Sequence, residues 1–260
     1  MGINRRSFLK IVGLSALGVS SGAWEVLQPG EVDAAHGHAA AEHGTKAAVR
    51  WAMVVDMRRC KEEKGCTKCI DACRLVHNIP VIDNPKREVK WIWKEGYEHA
   101  FPDTHNEYMS EEFKEAQFIL MCNHCDNPPC VRVCPTKATF KRPDGIVAMD
   151  YHRCIGCRFC MAACPYGSRN LNWVDPRPYI REVNPEFPTR MKGVVEKCNF
   201  CVERLAQGLL PACVEACHCG ALLFGNLHDP ESKVRRVLRS NVSMRRKPEL
   251  GTHPCVFYLV

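Results

Sequence analysis

Residues 154–165 read CIGCRFCMAACP, with cysteines at positions 154, 157, 160 and 164 and a proline directly after the last of them. This C-x2-C-x2-C-x3-C-P spacing lets three thiolates of one short loop converge on an iron–sulfur cluster, whereas the fourth cysteine binds a different cluster. We expect Cys164 to start a helix, because the fixed φ of Pro165 suits a first helical turn. The stretch therefore predicts a protein that carries more than one cluster.

The remaining cysteines follow the same grouping. The chain has 18 cysteines in 260 residues, and 16 of them form four groups of four. The groups, in chain order, are Cys60, Cys66, Cys69 and Cys73; Cys122, Cys125, Cys130 and Cys134; Cys154, Cys157, Cys160 and Cys164; and Cys198, Cys201, Cys213 and Cys217. Only Cys219 and Cys255 lie outside these groups. Sixteen cysteines so arranged predict four [4Fe-4S] clusters.

An internal repeat relates the groups. Segment 56–73 aligns with segment 150–164, and segment 122–134 aligns with segment 198–217. Between the second and third groups, apolar residues on either side of a turn at 142–145 predict a β-hairpin. The repeat predicts an α+β fold of two tandem bacterial-ferredoxin-like units, one split around the other, with long loop insertions.

The predicted boundaries follow from this repeat. The outer unit takes residues 51–121 and 181–228, the inner unit takes residues 122–180, and residues 229–260 form a C-terminal basic helix and tail. Residues 35–50, rich in Ala and His, are expected to be a flexible linker.

Residues 1–34 have the features of a twin-arginine signal peptide. Arg5 and Arg6 precede a short apolar stretch interrupted by glycines, and Ala34 is the small residue before the expected cleavage site. The apolar stretch is too short to be a stable membrane span. Because the twin-arginine route exports folded proteins, it suits a protein whose clusters are built in a reducing cytosol. We therefore expect a periplasmic location.

Two other uses of so many cysteines fit less well. Structural zinc sites use pairs of cysteines and would leave the repeated triplets with a distant fourth cysteine unexplained. A disulfide framework also requires an even cysteine count. It does not explain why a ferredoxin-type cysteine spacing occurs twice or why two of the groups end in Cys-Pro.

The charge balance allows a second hypothesis, from a different class of function. The formal net charge is +7, and a binding module could use the basic residues Arg235, Arg236, Arg239, Arg245, Arg246 and Lys247 to hold an anionic partner. The simpler interpretation of this basic run is a solvated helix face and tail. The negative charge of bound clusters would also offset the basic excess, so nucleic acid is not expected. Four cations beside the cysteines, Arg59, Arg153, Arg158 and Lys197, are expected to raise cluster potentials.

Residues 50–260 resemble the four-cluster iron–sulfur subunits of membrane quinone enzymes, similar to those of polysulfide, dimethyl sulfoxide and nitrite reductases. The segments that carry the resemblance are 51–56, 122–135, 164–167, 220–226 and 251–258. Within this family, the signal peptide, segment 65–80 and segment 90–94 are most similar to the DsrO-type subunit of the DsrMKJOP complex of dissimilatory sulfur metabolism. A subunit of another quinone-linked reductase, of the nitrite or polysulfide type, is the alternative.

The resemblance implies a crossed set of iron ligands. One cluster would be held by Cys60, Cys66, Cys69 and Cys217, and its neighbour by Cys198, Cys201, Cys213 and Cys73. The inner unit would hold one cluster with Cys122, Cys125, Cys130 and Cys164, and another with Cys154, Cys157, Cys160 and Cys134.

The resemblance also implies the role and the partners. The chain would transfer electrons without a catalytic site of its own, bound to the outer face of the cytoplasmic membrane. It has no membrane span, so its partner would be an integral membrane quinone-interacting subunit, with a multihaem cytochrome c nearby if the DsrO assignment holds.

Two departures from the family pattern concern one cluster. The loop between Cys60 and Cys66 is longer than usual, and Cys217 is followed by His218-Cys219, where the family usually has Pro and a small hydroxyl residue. The cluster tied to Cys217 could have a shifted potential, could use Cys219, or could be lost, leaving three clusters. We favour a tolerated change with a spare thiol.

Overall fold

The apolar run at 51–56 forms the central strand of a four-stranded sheet in the computed structural model, which describes residues 49–60, 65–104 and 106–260. The predicted signal peptide and the predicted linker up to residue 48 lie outside the described residues, as does most of the long loop between Cys60 and Cys66. The described residues belong to one compact unit. They combine helices and strands, so the predicted α+β class is confirmed.

The strands are short, as is usual for a fold rich in ligand loops. They are β1 (Trp51–Asp56), β2 (Ile92–Gly96), β3 (Gln117–Met121), β4 (Thr139–Lys141), β5 (Val147–Met149), β6 (Asn170–Leu171), β7 (Val195–Glu196), β8 (Leu222–Asn226), β9 (Ser243–Met244) and β10 (Val256–Leu259).

Most of the helices have only one or two turns. They are α1 (Met57–Cys60), α2 (Lys68–Val76), α3 (Tyr97–Ala100), α4 (Glu111–Glu115), α5 (Pro129–Arg132), α6 (Phe159–Ala163), α7 (Val202–Ala206), α8 (Ala212–Glu215) and α9 (Lys233–Ser240). Three 3₁₀ turns lie at Pro102–Thr104, Arg177–Tyr179 and Pro248–Leu250.

The four-stranded sheet has the order β8-β1-β10-β9. Strand β1 is antiparallel to β8 and parallel to β10. Its side chains alternate between the two faces, as the pleat requires: Met53 and Val55 join the main core, whereas Ala52 and Val54 pack in a smaller core beneath α9. Burial on both faces explains why the strand is almost entirely apolar.

The last strand, β10, was not predicted. The sequence interpretation placed residues 229–260 in a basic helix and tail, and α9 supplies the helix, but Val256–Leu259 lies inside the sheet between β1 and β9. The tail therefore forms part of the core.

The hairpin predicted between the second and third cysteine groups is confirmed. Strands β4 and β5 pair antiparallel, with Thr139 opposite Met149 and Lys141 opposite Val147. The amide of Gly145 donates to the carbonyl oxygen of Arg142 and closes the turn.

The helix predicted to start at Cys164 is wrong. Helix α6 lies before this cysteine and ends at Ala163, and Cys164 has the extended backbone (φ −84°, ψ 110°). The residue before a proline is driven away from the helical region by the proline ring. Pro165 therefore ends the helix.

Strands β1 and β8 lie far apart in the chain but pair antiparallel, as β4 and β5 do within their hairpin. In both pairs, one strand precedes a first cysteine by a few residues (β1 before Cys60, β5 before Cys154), and the other follows a last cysteine by a few residues (β8 after Cys217, β4 after Cys134).

Candidate cluster-binding sites

The fold gathers the 16 grouped cysteines into four sets, each drawn from two distant parts of the chain. We name them set I (Cys60, Cys66, Cys69, Cys217), set II (Cys73, Cys198, Cys201, Cys213), set III (Cys122, Cys125, Cys130, Cys164) and set IV (Cys134, Cys154, Cys157, Cys160). The family resemblance implies the same four combinations as iron ligands, and their binding of iron stays a prediction.

Sets III and IV each line a cavity. The four cysteines of set III surround one together with Asn123, Tyr166 and Arg169. The four cysteines of set IV surround another, together with Met149 and Val195. In each case the fourth cysteine comes from the opposite group of the pair, so the chain crosses between the two cavities.

The thiols within set I interact electrostatically with one another, and so do the thiols within set II. Burial raises the pKa of Cys69 to about 12, and the charges of Cys60, Cys217 and Cys66 add to the effect. Burial likewise raises the pKa of Cys73, and the charges of Cys198, Cys213 and Cys201 add to it. Helix α2 carries both Cys69 and Cys73, four residues apart on one face, so one helix supplies a thiol to each set.

Thiols of neighbouring sets interact in the order I, II, III, IV, and we call this succession of sets the row. Burial raises the pKa of Cys213 in set II, and Cys69 of set I contributes to that rise. Burial raises the pKa of Cys198 to about 12, with a contribution from Cys122 of set III. The pKa of Cys160 in set IV is raised by burial and, among others, by Cys130 of set III.

The row is buried in its middle and reaches the surface at both ends. All four cysteines of set II are buried, as are three of the four in set III. In set IV, Cys157 is exposed and Cys134 and Cys154 are half-buried. In set I, Cys60, Cys66 and Cys217 are half-buried.

Backbone amides point at several of the sulfur atoms. The amide nitrogens of Phe200 and Ala212 lie 3.5 and 3.4 Å from the Sγ atoms of Cys198 and Cys201. Those of Thr139 and Val195 lie 3.5 and 3.4 Å from Cys134 and Cys154. Hydrogen bonds to sulfur stabilise negative charge there, which suits thiolate ligands of a redox centre.

A tight loop positions set IV. Gly156 has φ +68°, and a Cβ atom there would collide with the backbone oxygen of Gly193. Only glycine satisfies both conditions without strain. This packing explains the Gly-Cys pair that precedes the loop's second cysteine.

The side-chain amide of Asn123, which has no hydrogen-bond partner among the described residues, indicates whether the set III cavity suits a bound group. Asn123 is 1% exposed and lines the cavity, and neither its amide nitrogen nor its amide oxygen has a hydrogen-bond partner among the described residues. A buried donor without a partner is costly. A group with acceptor atoms at the centre of four thiols, as in a cluster with inorganic sulfide, fits this donor.

Burial also changes the pKa of several of these thiols. Burial, with smaller effects of neighbouring charges, raises the pKa of Cys60 to about 11 and that of Cys125 to about 12. Cys134 differs, since hydrogen bonds from Thr139 and Thr136 overcome the effect of burial and lower its pKa. Iron binding must therefore displace protons from most of these thiols.

The two leftover cysteines have different surroundings. The Sγ atom of Cys219 lies 3.7 Å from that of Cys217, so a fifth thiol adjoins set I. Cys255 is buried, and the Arg50 guanidinium donates to its sulfur at 2.8 Å.

Of the four cations expected to act on clusters, two have exposed side chains that pair with carboxylates. Arg59 lies 3.7 Å from Asp56, and Arg153 lies 3.2 Å from Asp150. Arg158 lies over the Trp173 ring. Lys197, by contrast, is buried.

Sequence reasoning missed a further cation, Arg169. It is 4% exposed and donates to the Sγ atom of Cys130 at 2.9 Å. Its place five residues after Cys164 was the signal that the sequence offered.

The basic surface of the second hypothesis is not continuous. Arg235, Arg236 and Arg239 are exposed on α9. Arg246, however, is 5% exposed, donates to the carbonyl oxygen of Ala100 and lies over the Tyr166 ring. The expectation that Arg246 belongs to an anion-binding face is therefore wrong, because this side chain serves the protein's own packing.

In the part of the chain that the structure describes, no helix has the length and apolar character needed to cross a membrane.

Comparison with known proteins agrees with this geometry. A family described as a 4Fe-4S dicluster domain matches residues 115–177 and 183–227. The Hdr-like menaquinol oxidoreductase iron-sulfur subunit 1 of Archaeoglobus fulgidus is 41% identical over 276 aligned positions, which cover 98% of this chain and 97% of the relative.

Two other relatives are similar over most of the chain. The iron-sulfur cluster-binding subunit of menaquinone reductase from Nitratidesulfovibrio vulgaris is 35% identical, covering 81% of this chain and 89% of its own. Protein NrfC of Escherichia coli is 39% identical, covering 80% of this chain and 80% of its own. The chain therefore belongs to the family of 4Fe-4S ferredoxin-type electron-transfer subunits that includes the iron–sulfur subunits named for menaquinol oxidoreductase, menaquinone reductase and dimethyl sulfoxide reductase.

Proposed function

We propose that this chain is an electron-transfer subunit in which sets I to IV each hold one [4Fe-4S] cluster. The observation that carries the proposal is the row of four sets of four thiols, each assembled from two distant cysteine groups. A bound [4Fe-4S] cluster supplies reversible one-electron transfer. The residues of this chain supply the ligands, the hydrogen bonds to sulfur and the exclusion of water around sets II and III.

The same row suggests where electrons enter and leave. Sets I and IV have half-buried or exposed cysteines, whereas set II is entirely buried. We infer that redox partners contact the protein near Cys66 at one end and near Cys157 at the other.

The proposed architecture is two ferredoxin-like units, one split around the other, with the boundaries given by the repeat. Its support is the equivalence of the β1–β8 pair and the β4–β5 pair, each of which connects a last cysteine to a first cysteine.

We propose further that the subunit belongs to a quinone-linked membrane complex. Two of the relatives are named as subunits of a menaquinol oxidoreductase and a menaquinone reductase. The DsrMKJOP complex of sulfur metabolism is the specific proposal, with an integral membrane subunit as the direct partner and a multihaem cytochrome c nearby. A reductase of the nitrite or polysulfide type is the alternative.

The first experiment is a count of iron and acid-labile sulfide in anaerobically purified protein. Four clusters require about 16 of each per chain. About 12 of each would mean that one cluster is missing, and we expect the missing one to be at set I. Zinc without sulfide would overturn the proposal.

Export and membrane attachment are tested separately. We propose a periplasmic location through the twin-arginine route, so replacing Arg5 and Arg6 by Lys should keep the protein in the cytoplasm. Deleting the membrane subunit should release the wild-type protein into the soluble periplasm. Retention on the membrane in that strain would contradict attachment through a partner.

Chelation of iron separates this proposal from the binding-module hypothesis. If the chain is an electron-transfer subunit, its redox activity is lost with the clusters. Binding to an anionic partner that survives chelation and disappears when Arg235, Arg236 and Arg239 are replaced by Gln would favour the module.

A further inference from the structure

Two buried cations lie among the cysteine sets. Lys197 is 1% exposed, and its ammonium donates to the carbonyl oxygens of Val147 and Cys198, the latter at 2.6 Å. Arg169 is 4% exposed, and its guanidinium donates to Thr139 at 2.8 Å and to the Cys130 sulfur at 2.9 Å.

Neither cation has a carboxylate partner within the described ranges. The contacts of Lys197 are backbone carbonyl oxygens, and those of Arg169 are a hydroxyl group and sulfur atoms. The buried Arg190 shows the usual solution, since it pairs with the equally buried Glu196. A buried charge without a counter-ion is strongly unfavourable. An anion must therefore complete the surroundings of Lys197 and Arg169.

The positions of the two cations identify that anion. The charge of Lys197 acts on Cys198 of set II and on Cys130 of set III, where it opposes the rise in thiol pKa that burial causes. Arg169 interacts with Cys130, Cys122 and Cys164 of set III and with Cys160 of set IV. Lys197 thus adjoins the junction of sets II and III, and Arg169 the junction of sets III and IV.

We propose that Lys197 and Arg169 are the counter-ions of the clusters and raise their reduction potentials, Lys197 at sets II and III and Arg169 at sets III and IV. This inference rests on the proposed function. Reduction adds one electron to a cluster, and a fixed positive charge nearby in a medium of low dielectric stabilises the reduced form. Because both cations act on set III, that cluster should have its potential raised most.

Two of the other cations near cysteines, Arg59 and Arg153, do not meet these conditions. Arg59 and Arg153 have exposed side chains that pair with Asp56 and Asp150. Water and the paired carboxylates screen their charge. Arg59 and Arg153 are therefore expected to affect the potentials less than the two buried residues do.

The test is an anaerobic redox titration of the full chain, followed by electron paramagnetic resonance, in protein whose iron content has been measured. Lys197→Met removes the charge and keeps most of the side chain's length, Lys197→Arg keeps the charge, and Lys233→Met removes an exposed charge on α9 as a control. We expect Lys197→Met to shift the one-electron equilibrium of at least one cluster tenfold or more toward the oxidised form, about 59 mV. Lys197→Arg should shift it less than threefold, and Lys233→Met should not shift it.

Each other outcome is informative. Unchanged potentials in Lys197→Met with full iron content would overturn the inference and leave the proposed function intact. Iron loss in Lys197→Met that Lys197→Arg restores would support the counter-ion role, because Arg keeps the positive charge that Met lacks. Iron loss in both variants would overturn it in favour of a purely packing role. A wild-type protein without clusters would overturn the proposed function itself. Arg169→Gln, titrated in the same way, should lower potentials independently.

Discussion

The imidazole ring of His124 stacks on the phenyl ring of Phe200, with ring centroids 3.7 Å apart and planes inclined by 20°. These residues occupy equivalent positions in the internal repeat, the second after Cys122 and the second after Cys198. Both have a left-handed backbone, with φ of 41° and 56°. The two halves of the repeat therefore meet through equivalent residues of equivalent loops, at the junction of sets II and III.

Truncating one partner of this stack should destabilise the protein. Phe200 is 1% exposed, so Phe200→Ala removes a buried ring and should cost about 3–5 kcal/mol in the free energy of unfolding. The cluster-loaded protein would be compared by denaturant unfolding with Tyr108→Ala, which truncates an aromatic ring that is 88% exposed. Equal midpoints for the two variants would contradict the structural role of the stack.

The spare thiol beside set I is expected to be dispensable. Although Cys219 lies 3.7 Å from Cys217, the repeat assigns the ligand role to Cys217. Cys219→Ser should keep about 16 iron atoms per chain, and Cys217→Ser should fall to about 12. The reverse pattern, with iron lost only in Cys219→Ser, would show that Cys219 is the ligand.

The loop of set IV should not tolerate a side chain at Gly156. Gly156→Ala adds a Cβ atom that meets the Gly193 carbonyl oxygen, in addition to about 1–2 kcal/mol for the left-handed backbone. Gly251→Ala is the matched control, because Gly251 also has a positive φ but would have no atom within 4 Å of the new Cβ. We expect iron to fall by about four per chain in Gly156→Ala alone. Equal iron content in both variants would exclude the steric argument.

A buried ion pair outside the cysteine sets should contribute strongly to stability. Arg190 and Glu196 have fully buried side chains, and Glu196 also accepts a hydrogen bond from Trp91 at 3.0 Å. Arg190→Met leaves a buried carboxylate unpaired, so unfolding should become easier by about 3–5 kcal/mol. Arg177→Met breaks an exposed pair with Asp175 and should have no measurable effect. Recovery of stability in the double variant Arg190→Met/Glu196→Leu would confirm that the unpaired charge is the cause.

Clusters should be lost faster as the pH falls. In the folded, metal-free protein the pKa values of Cys60, Cys69, Cys125 and Cys198 are raised to about 11 or 12. Protons therefore compete with iron for these sulfur atoms throughout the neutral range, and the competition strengthens at lower pH. Loss of the visible cluster absorption, followed anaerobically between pH 8 and pH 6, should accelerate. A rate independent of pH would show that protonation of the thiols does not limit release.

Much of this protein could be predicted from local sequence. The C-x2-C-x2-C-x3-C-P motif predicts cluster chemistry because ligand spacing within a short loop depends only on nearby residues. The turn at 142–145 predicted the β4–β5 hairpin for the same reason. The internal repeat predicted two equivalent units, since similar segments fold alike, whereas the combination of cysteines in each set was implied by the family resemblance. The prediction of a helix that starts at Cys164 was wrong, because a proline can follow a helix as readily as it can begin one.

Other features were decided by contacts between residues far apart in the chain. Strand β10 is too short to be distinguished from a tail, and only its place between β1 and β9 makes Val256–Leu259 part of the core. A lysine or an arginine in the sequence carries no sign of burial, so the difference between Lys197 and Arg153 became visible only when their surroundings were assembled. The sequence by itself determined how the cysteines are grouped and predicted which sulfur atoms bind iron. The tertiary structure decided which of them face each other and which charges lie between them, because burial depends on every segment that packs around a site.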